Sequence, residues 1–334
     1  MGDSGRRAAA SRLLVAALAG LALHLAFPRP GWDLLGWVAL APVLALAATA
    51  RSPDRALLEG WLAGGAFFLP LLRWITHSMT HYSALPAPLA GLVLLALAAY
   101  CALYVGAVVA AVAWAKTRLG PGAVWLTPAF WVTSELARTH VFSGFPWGLL
   151  GYVPYRWPDV IAIAAWTGVY GVSFLLVLVN TAAAWVLVQR SRPAAAVSAA
   201  VVGLALGATL AGAALRPAPG TGTVPVGIVQ GNIDQAIKWD KTTRLATLEI
   251  YARLTRQVAP GSRLVVWPEA AVPAYLSYEP GVSEWLTRLA GEVGTPLLVG
   301  APDARQDGAA TQFLNSAFLV RAEGLQRRYD KIHL

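Results

Sequence analysis

The stretch Leu85–Ala115, LPAPLAGLVLLALAAYCALYVGAVVAAVAWA, contains no Asp, Glu, Lys or Arg and stops at Lys116. A helix needs about 20 apolar residues to cross a bilayer, so a run this long must tilt or project beyond it. Outward from it, apolar runs at 12–27, 33–50, 56–72, 121–138, 160–189 and 194–215 bring the expectation to about seven spans. The first run is flanked by Arg and lacks a convincing cleavage site, so it reads as a retained span rather than a removed leader.

Charge divides the chain in the same way. The 334 residues are 57% hydrophobic and 13% charged, where a soluble domain carries about a quarter charged residues. Residues 1–216 hold 14 Lys/Arg and 6 Asp/Glu, whereas the shorter 217–334 hold 12 and 11. The expected organisation is a polytopic α-helical membrane domain (1–216), a Pro/Gly/Thr linker (217–223) and a water-soluble domain (224–334). Nearly all of the net +9 belongs to the membrane part. Its role is to orient the chain, and a nucleic-acid partner is excluded because the soluble part is close to neutral. One set of loops carries nine basic residues, and the opposite set carries four, Arg29, Arg73, Arg138 and Arg156. The richer side is cytoplasmic by the positive-inside rule. Seven spans from a cytoplasmic N-terminus then put the soluble domain outside.

Within the membrane part, Glu59 and Glu135 are acids in or beside apolar runs, where charge is costly and often functional. The plainer reading is a position near the interface or pairing with a neighbouring Arg. His77 and His81 have the spacing of two ligands on one helical turn, but no acid or Cys lies near them, so no metal site is expected. Cys101 is the single cysteine; apolar surroundings disfavour its thiolate, and it reads as inert packing. Gly203 and Gly207 form a GxxxG, read as intramolecular packing rather than a dimer signal. Ser143–Tyr152, SGFPWGLLGY, is too broken by Gly and Pro for a regular helix and carries interfacial aromatics. It is either an interfacial loop or the re-entrant lining of a lipid-facing cavity. The run from Gly168 to Leu176, with Asn180 beyond, reads as a packed helix or as part of that lining.

In the soluble part the period shortens. Val224–Gln230, Arg263–Trp267, Pro296–Gly300, Gln312–Arg321 and Leu325–Tyr329 read as strands; Thr242–Val258 and Val282–Val293 read as helices. Alternating strands and helices followed by a hairpin indicate an α/β sheet domain. Two ionisable residues stand at strand ends. Glu269 follows LVVWP, where a rigid mount suits proton transfer. Lys331 closes QRRYDK, where a cation suits a developing oxyanion. Either alone is more often an ordinary surface charge.

VQGN at 229–232, VVWPEAAVP at 265–273, NSAFLV at 315–320 and RYDKIHL at 328–334 resemble, in order and spacing, the nitrilase (carbon–nitrogen hydrolase) superfamily. Together with the membrane part, SGFPWGLLGY, YGVSFLL and VQGNIDQAIKWD, they resemble its membrane-bound branch, the bacterial apolipoprotein N-acyltransferases. The resemblance implies an αββα sandwich, here incomplete, and a Glu–Lys–Cys site. It makes Glu269 the general base and Lys331 the group that stabilises the tetrahedral intermediate. Trp239 then falls in an aromatic loop near the substrate entrance.

The implied reaction takes an acyl chain from a membrane phospholipid, phosphatidylethanolamine in the first place, through a cysteine thioester. The acceptor is the amine of a diacylglyceryl-cysteine apolipoprotein, and no cofactor is needed. The implied location is the bacterial inner membrane, with the nitrilase-like domain periplasmic. The resemblance also puts the nucleophilic Cys some tens of residues beyond the Lys, whereas this chain ends three residues after Lys331. The polypeptide is therefore expected to be truncated and inactive alone. Two other readings stand beside this one. A membrane-tethered amidase acting on a small amide would not need an elaborate lipid-facing domain. A transporter with an external regulatory domain would show paired intramembrane charges or inverted repeats.

Overall fold

In a computed structural model, the described residues are 3–216, 220, 222–235, 238–240, 242–307 and 310–332. The expected linker lies largely outside them, as do Ala236, Ile237, His333 and Leu334 of the quoted motifs. The chain divides into two units, Met1–Ala218 and Pro219–Leu334.

The first unit is helical: α1 (Asp3–Leu25), α2 (Ala41–Thr49), α3 (Pro53–Leu71), α4 (Trp74–Tyr82), α5 (Ala87–Leu119), α6 (Thr127–His140), α7 (Pro158–Ile161), α8 (Ala164–Gln189) and α9 (Arg192–Ala214). Ser52 and Ser191 open α3 and α9 by accepting from Arg55 N and Ala194 N at 3.4 and 3.3 Å. In each case a proline sits in the first turn, where no N–H is missed. Four helices, in α1, α5, α8 and α9, are long and apolar enough to cross a membrane; α3 and α4, bent by 49°, form a fifth if taken as one span. The expected runs 33–50 and 121–138 are shorter pieces. Each is a 3₁₀ turn followed by a helix, nine residues in α2 and 14 in α6. The polar side chains of α6 and the Gly and Pro around α2 shorten what composition alone joined.

Asn180 fastens α2 to α8. Fully buried, it accepts from Leu40 N and Ala41 N at 2.9 and 3.1 Å and donates to Gly36 O at 2.8 Å. The free amides of a helix start are thereby met inside an apolar core. Glu59, also fully buried, takes a bidentate pair from Arg12 at 2.6 and 2.8 Å and a contact from Arg55 at 3.3 Å, so it is an ion-paired helix tie. Glu135 departs from the Arg-pairing reading: its Oε1 accepts from Trp131 Nε1 and Leu150 N at 2.9 and 2.8 Å. Gly203 and Gly207 also differ from expectation, since a Cβ at either would meet nothing within 4 Å.

The second unit is a five-stranded mixed sheet in the order β1 (Val226–Ile228), β2 (Leu264–Val266), β3 (Leu297–Asp307), β4 (Ala310–Arg321), β5 (Gly324–Asp330). The first two pairings are parallel and the last two antiparallel. Helices α10 (Arg244–Val258) and α11 (Pro280–Val293) pack their apolar stripes on one face. There Val265, Trp267, Val299, Phe318 and Val320 meet Leu248, Tyr251, Leu286 and Leu289. Trp267 stacks on Tyr251 at 4.8 Å and donates to Thr255 Oγ1 at 2.9 Å. The other face carries Val226, Ile228 and Tyr329 exposed, Ile228 by 77%. β3 runs seven residues past the expected strand, because Asp303 on its covered face is held by Ser277 and Arg328 rather than excluded.

Candidate active site

Glu269 sits in a turn directly after β2. Backbone bonds from Trp267 N to Leu298 O (2.9 Å) and from Val272 N to Gly300 O (3.0 Å) bracket the turn against β3. Ala270 has φ +50, a left-handed conformation unusual for a residue with a side chain. The turn lies so close to β3 that a Cβ on Gly300 would come within 2.4 Å of Pro268 O and 2.7 Å of Ala270 N. Only glycine leaves the space that puts the Glu269 side chain over the open sheet face.

Two strands bring partners to that side chain. Asn315, on β4, donates from Nδ2 to Glu269 Oε1. Lys331, just past β5, donates from Nζ to the same oxygen at 3.1 Å. The lysine's backbone N is fixed to Asn315 O at 2.8 Å, so one residue positions both the acid and the cation. Behind them Arg328 bonds Asp303 Oδ2 at 2.7 Å and Asp330 Oδ1 at 3.0 Å, and Ser316 Oγ donates to Asp330 at 2.7 Å. This network, on the covered face, holds the strand that delivers Lys331.

Lys331 and then Asn315 donate to the Glu269 carboxylate and hold its pKa below the ordinary range. The Glu269 side chain is 63% exposed and that of Lys331 49%, so the pair is open to a substrate. Lys238 reaches the Glu269 carbonyl O at 3.4 Å. Partial burial lowers its pKa, and the Glu269 charge opposes that shift. Trp239, half-exposed, has the Lys238 ammonium 5.8 Å from its ring centroid.

The structure therefore brings Glu269 and Lys331 together, with Trp239 one residue from a contact to Glu269. Cys101 is buried in α5, inside the first unit. Sequence reasoning passed over Asn315, Lys238 and Gly300 as site residues. Asn315 opens the quoted NSAFLV, and strand alternation from Ala317 and Leu319 gives its face, but the facing carboxylate is visible only once β2 and β4 are placed.

Residues 19–182 match the model of the apolipoprotein N-acyltransferase N-terminal domain, and residues 225–334 match that of carbon-nitrogen hydrolases. An apolipoprotein N-acyltransferase of Geobacter metallireducens is 39% identical over 96% of this chain and 63% of its own length. One from Methylococcus capsulatus is 33% identical over 96% and 63%. One from Bordetella bronchiseptica is 30% identical over all of this chain and 68% of its own. The chain belongs to the apolipoprotein N-acyltransferase family. It spans about 63% of the length of the first two relatives. Membership accounts for both units at once: apolar helices of a bacterial membrane protein, then a nitrilase-like sheet. It also gives the Glu269 turn and the Lys331 strand end their context as parts of a carbon–nitrogen hydrolase domain.

Proposed function

We propose that this chain carries the membrane part and the acid and cation of an enzyme that N-acylates lipoproteins. The observation that supports it is one carboxylate oxygen, Glu269 Oε1, shared by Asn315 and Lys331 at the open edge of a sheet. Glu269, kept ionised, takes the proton of a cysteine thiol. The thiolate adds to the ester carbonyl of a phospholipid, phosphatidylethanolamine in the first place. Collapse of that adduct expels the lysophospholipid alkoxide, which takes up the proton, and leaves a thioester. The free amine of a diacylglyceryl-cysteine apolipoprotein then attacks the thioester, loses a proton to Glu269 and releases the thiol. Lys331 faces the negative charge on the tetrahedral oxygen in both halves.

The only cysteine of the 334 residues is Cys101, so the nucleophile of this scheme is not among them, and these residues alone are expected to form no acyl thioester. The basic-residue bias supports a periplasmic position for the sheet domain and a cytoplasmic N-terminus. The test is expression from the native gene and incubation with phosphatidylethanolamine and a diacylglyceryl peptide. Acyl transfer should appear, and Glu269→Gln should lower it by about 10³-fold or more, the scale of losing a base in nucleophilic catalysis. Hydrolysis of small amides without lipid-dependent acylation would instead favour a tethered amidase and refute the proposal.

A further inference from the structure

The first unit holds a cavity of about 1170 Å³ where α1 and α3 end, and the broken segment Pro146–Gly148 with Tyr152 forms part of its wall. Its size exceeds what a drug-sized ligand needs. Most of the wall is apolar: Phe27, Leu71, Leu72, Trp74 and Trp147 among others. Three groups are not. Arg29 and Arg73 both line it, and neither has an ion-pair or side-chain hydrogen-bond partner among the described residues. His24 also lines it, with Nδ1 buried and without a hydrogen-bond partner.

Cationic side chains in such a place need an explanation. On the orientation proposed above, Arg29 and Arg73 belong to the loops that the positive-inside rule leaves poor in basic residues. The other two arginines of that side have partners: Arg138 donates to Phe145 O and Trp147 O, and Arg156 donates to Tyr155. Two unpaired guanidiniums beside a long apolar wall match an amphiphile with an anionic, phosphate-bearing head. Guanidinium binds phosphate in paired, charge-assisted hydrogen bonds.

We propose that this cavity is a phospholipid site in which Arg29 and Arg73 hold the phosphate and His24 adds a donor, the acyl chains lying along the Phe27–Leu71–Trp147 wall. The site deepens the lipid-donor reading and rests on it. Its test measures binding without turnover, so the two can fail separately.

Native mass spectrometry of the detergent-solubilised chain should show phosphatidylethanolamine retained about tenfold better than dioleoylglycerol, which shares the tails and lacks the phosphate. Arg29→Gln with Arg73→Gln should remove that preference and leave dioleoylglycerol retention unchanged, which shows that the cavity still forms. Arg118→Gln, at the far end of α5, should change neither. Equal retention of the two lipids by the unmodified chain, or an intact preference in the double variant, would overturn the proposal. Displacement of the lipid by inorganic phosphate at equal concentration would also overturn it, by identifying a free-anion site.

Discussion

Glu269 depends on a lysine 62 positions later in the chain. Because Lys331 and Asn315 donate to its ionised form, its folded pKa lies below the unfolded one. The contact therefore contributes stability above the ordinary carboxylate range and loses it as pH falls through the lowered value. Lys331→Met should move the Glu269 titration upward, read by carbon NMR of a selectively labelled glutamate side chain; an unmoved midpoint would deny the lysine its part. Gly300→Ala should destabilise the second unit by roughly 1–3 kcal/mol through overpacking, seen as a lower Tm than that of the unsubstituted chain. Both ionisable residues were legible in the sequence, since each closes an apolar run that reads as a strand. Asn315 and Gly300 were not, because their roles exist only between strands distant in sequence. The parallel β2–β3 pairing sets Gly300 under the Glu269 turn, and no local pattern encodes that pairing.

At the scale of elements, the broken segment 143–152 is held from beneath rather than left as a loose interfacial loop. Arg138 reaches Phe145 O at 2.8 Å and Trp147 O at 2.5 Å, and lies 5.0 Å from the Phe68 ring. Glu135, one turn earlier on α6, takes Leu150 N, and Ser173 on α8 takes Gly151 N at 2.8 Å. Gly148, at φ +71, lets the chain pass Leu71, where a Cβ would come within 2.6 Å of its Cδ2. Arg138→Leu should cost roughly 1.5–3 kcal/mol for each charged hydrogen bond lost. Hydrogen exchange should then quicken at amides 144–151 while α5 keeps its protection; uniform quickening would mean a general loss of fold. The sequence left two readings of this segment, and the cavity it lines is the one the structure bears out. Apolar runs exposed the long helices plainly, but they could not separate a full span from the 3₁₀-and-helix pieces at 33–49 and 121–140, which share their composition.

Across the whole molecule, the division of charge near residue 216 announced two units of different solvent, and the alternation of short apolar blocks announced an α/β sheet. Neither told which face of the sheet the helices would cover. α10 and α11 cover one, and the other shows Val226, Ile228 and Tyr329 to solvent. An exposed apolar sheet face promotes association. Ile228→Thr should therefore lower hydrophobic-dye binding and sedimenting oligomer in the solubilised chain without lowering its Tm. A fall in Tm would mean that Ile228 is packed after all.

The fastening of segment 143–152 bears on how such a chain can drift over generations. Arg138, Glu135 and Ser173 each meet backbone groups that nothing else among the described residues supplies, in surroundings where an unmet polar group is expensive. A change at any one of them strands its partner amide or carbonyl, so accepted changes at positions 135, 138 and 173 should come in company. In an alignment of relatives these three positions should vary together, while the segment they hold, meeting them only through its backbone, keeps freedom in its side chains.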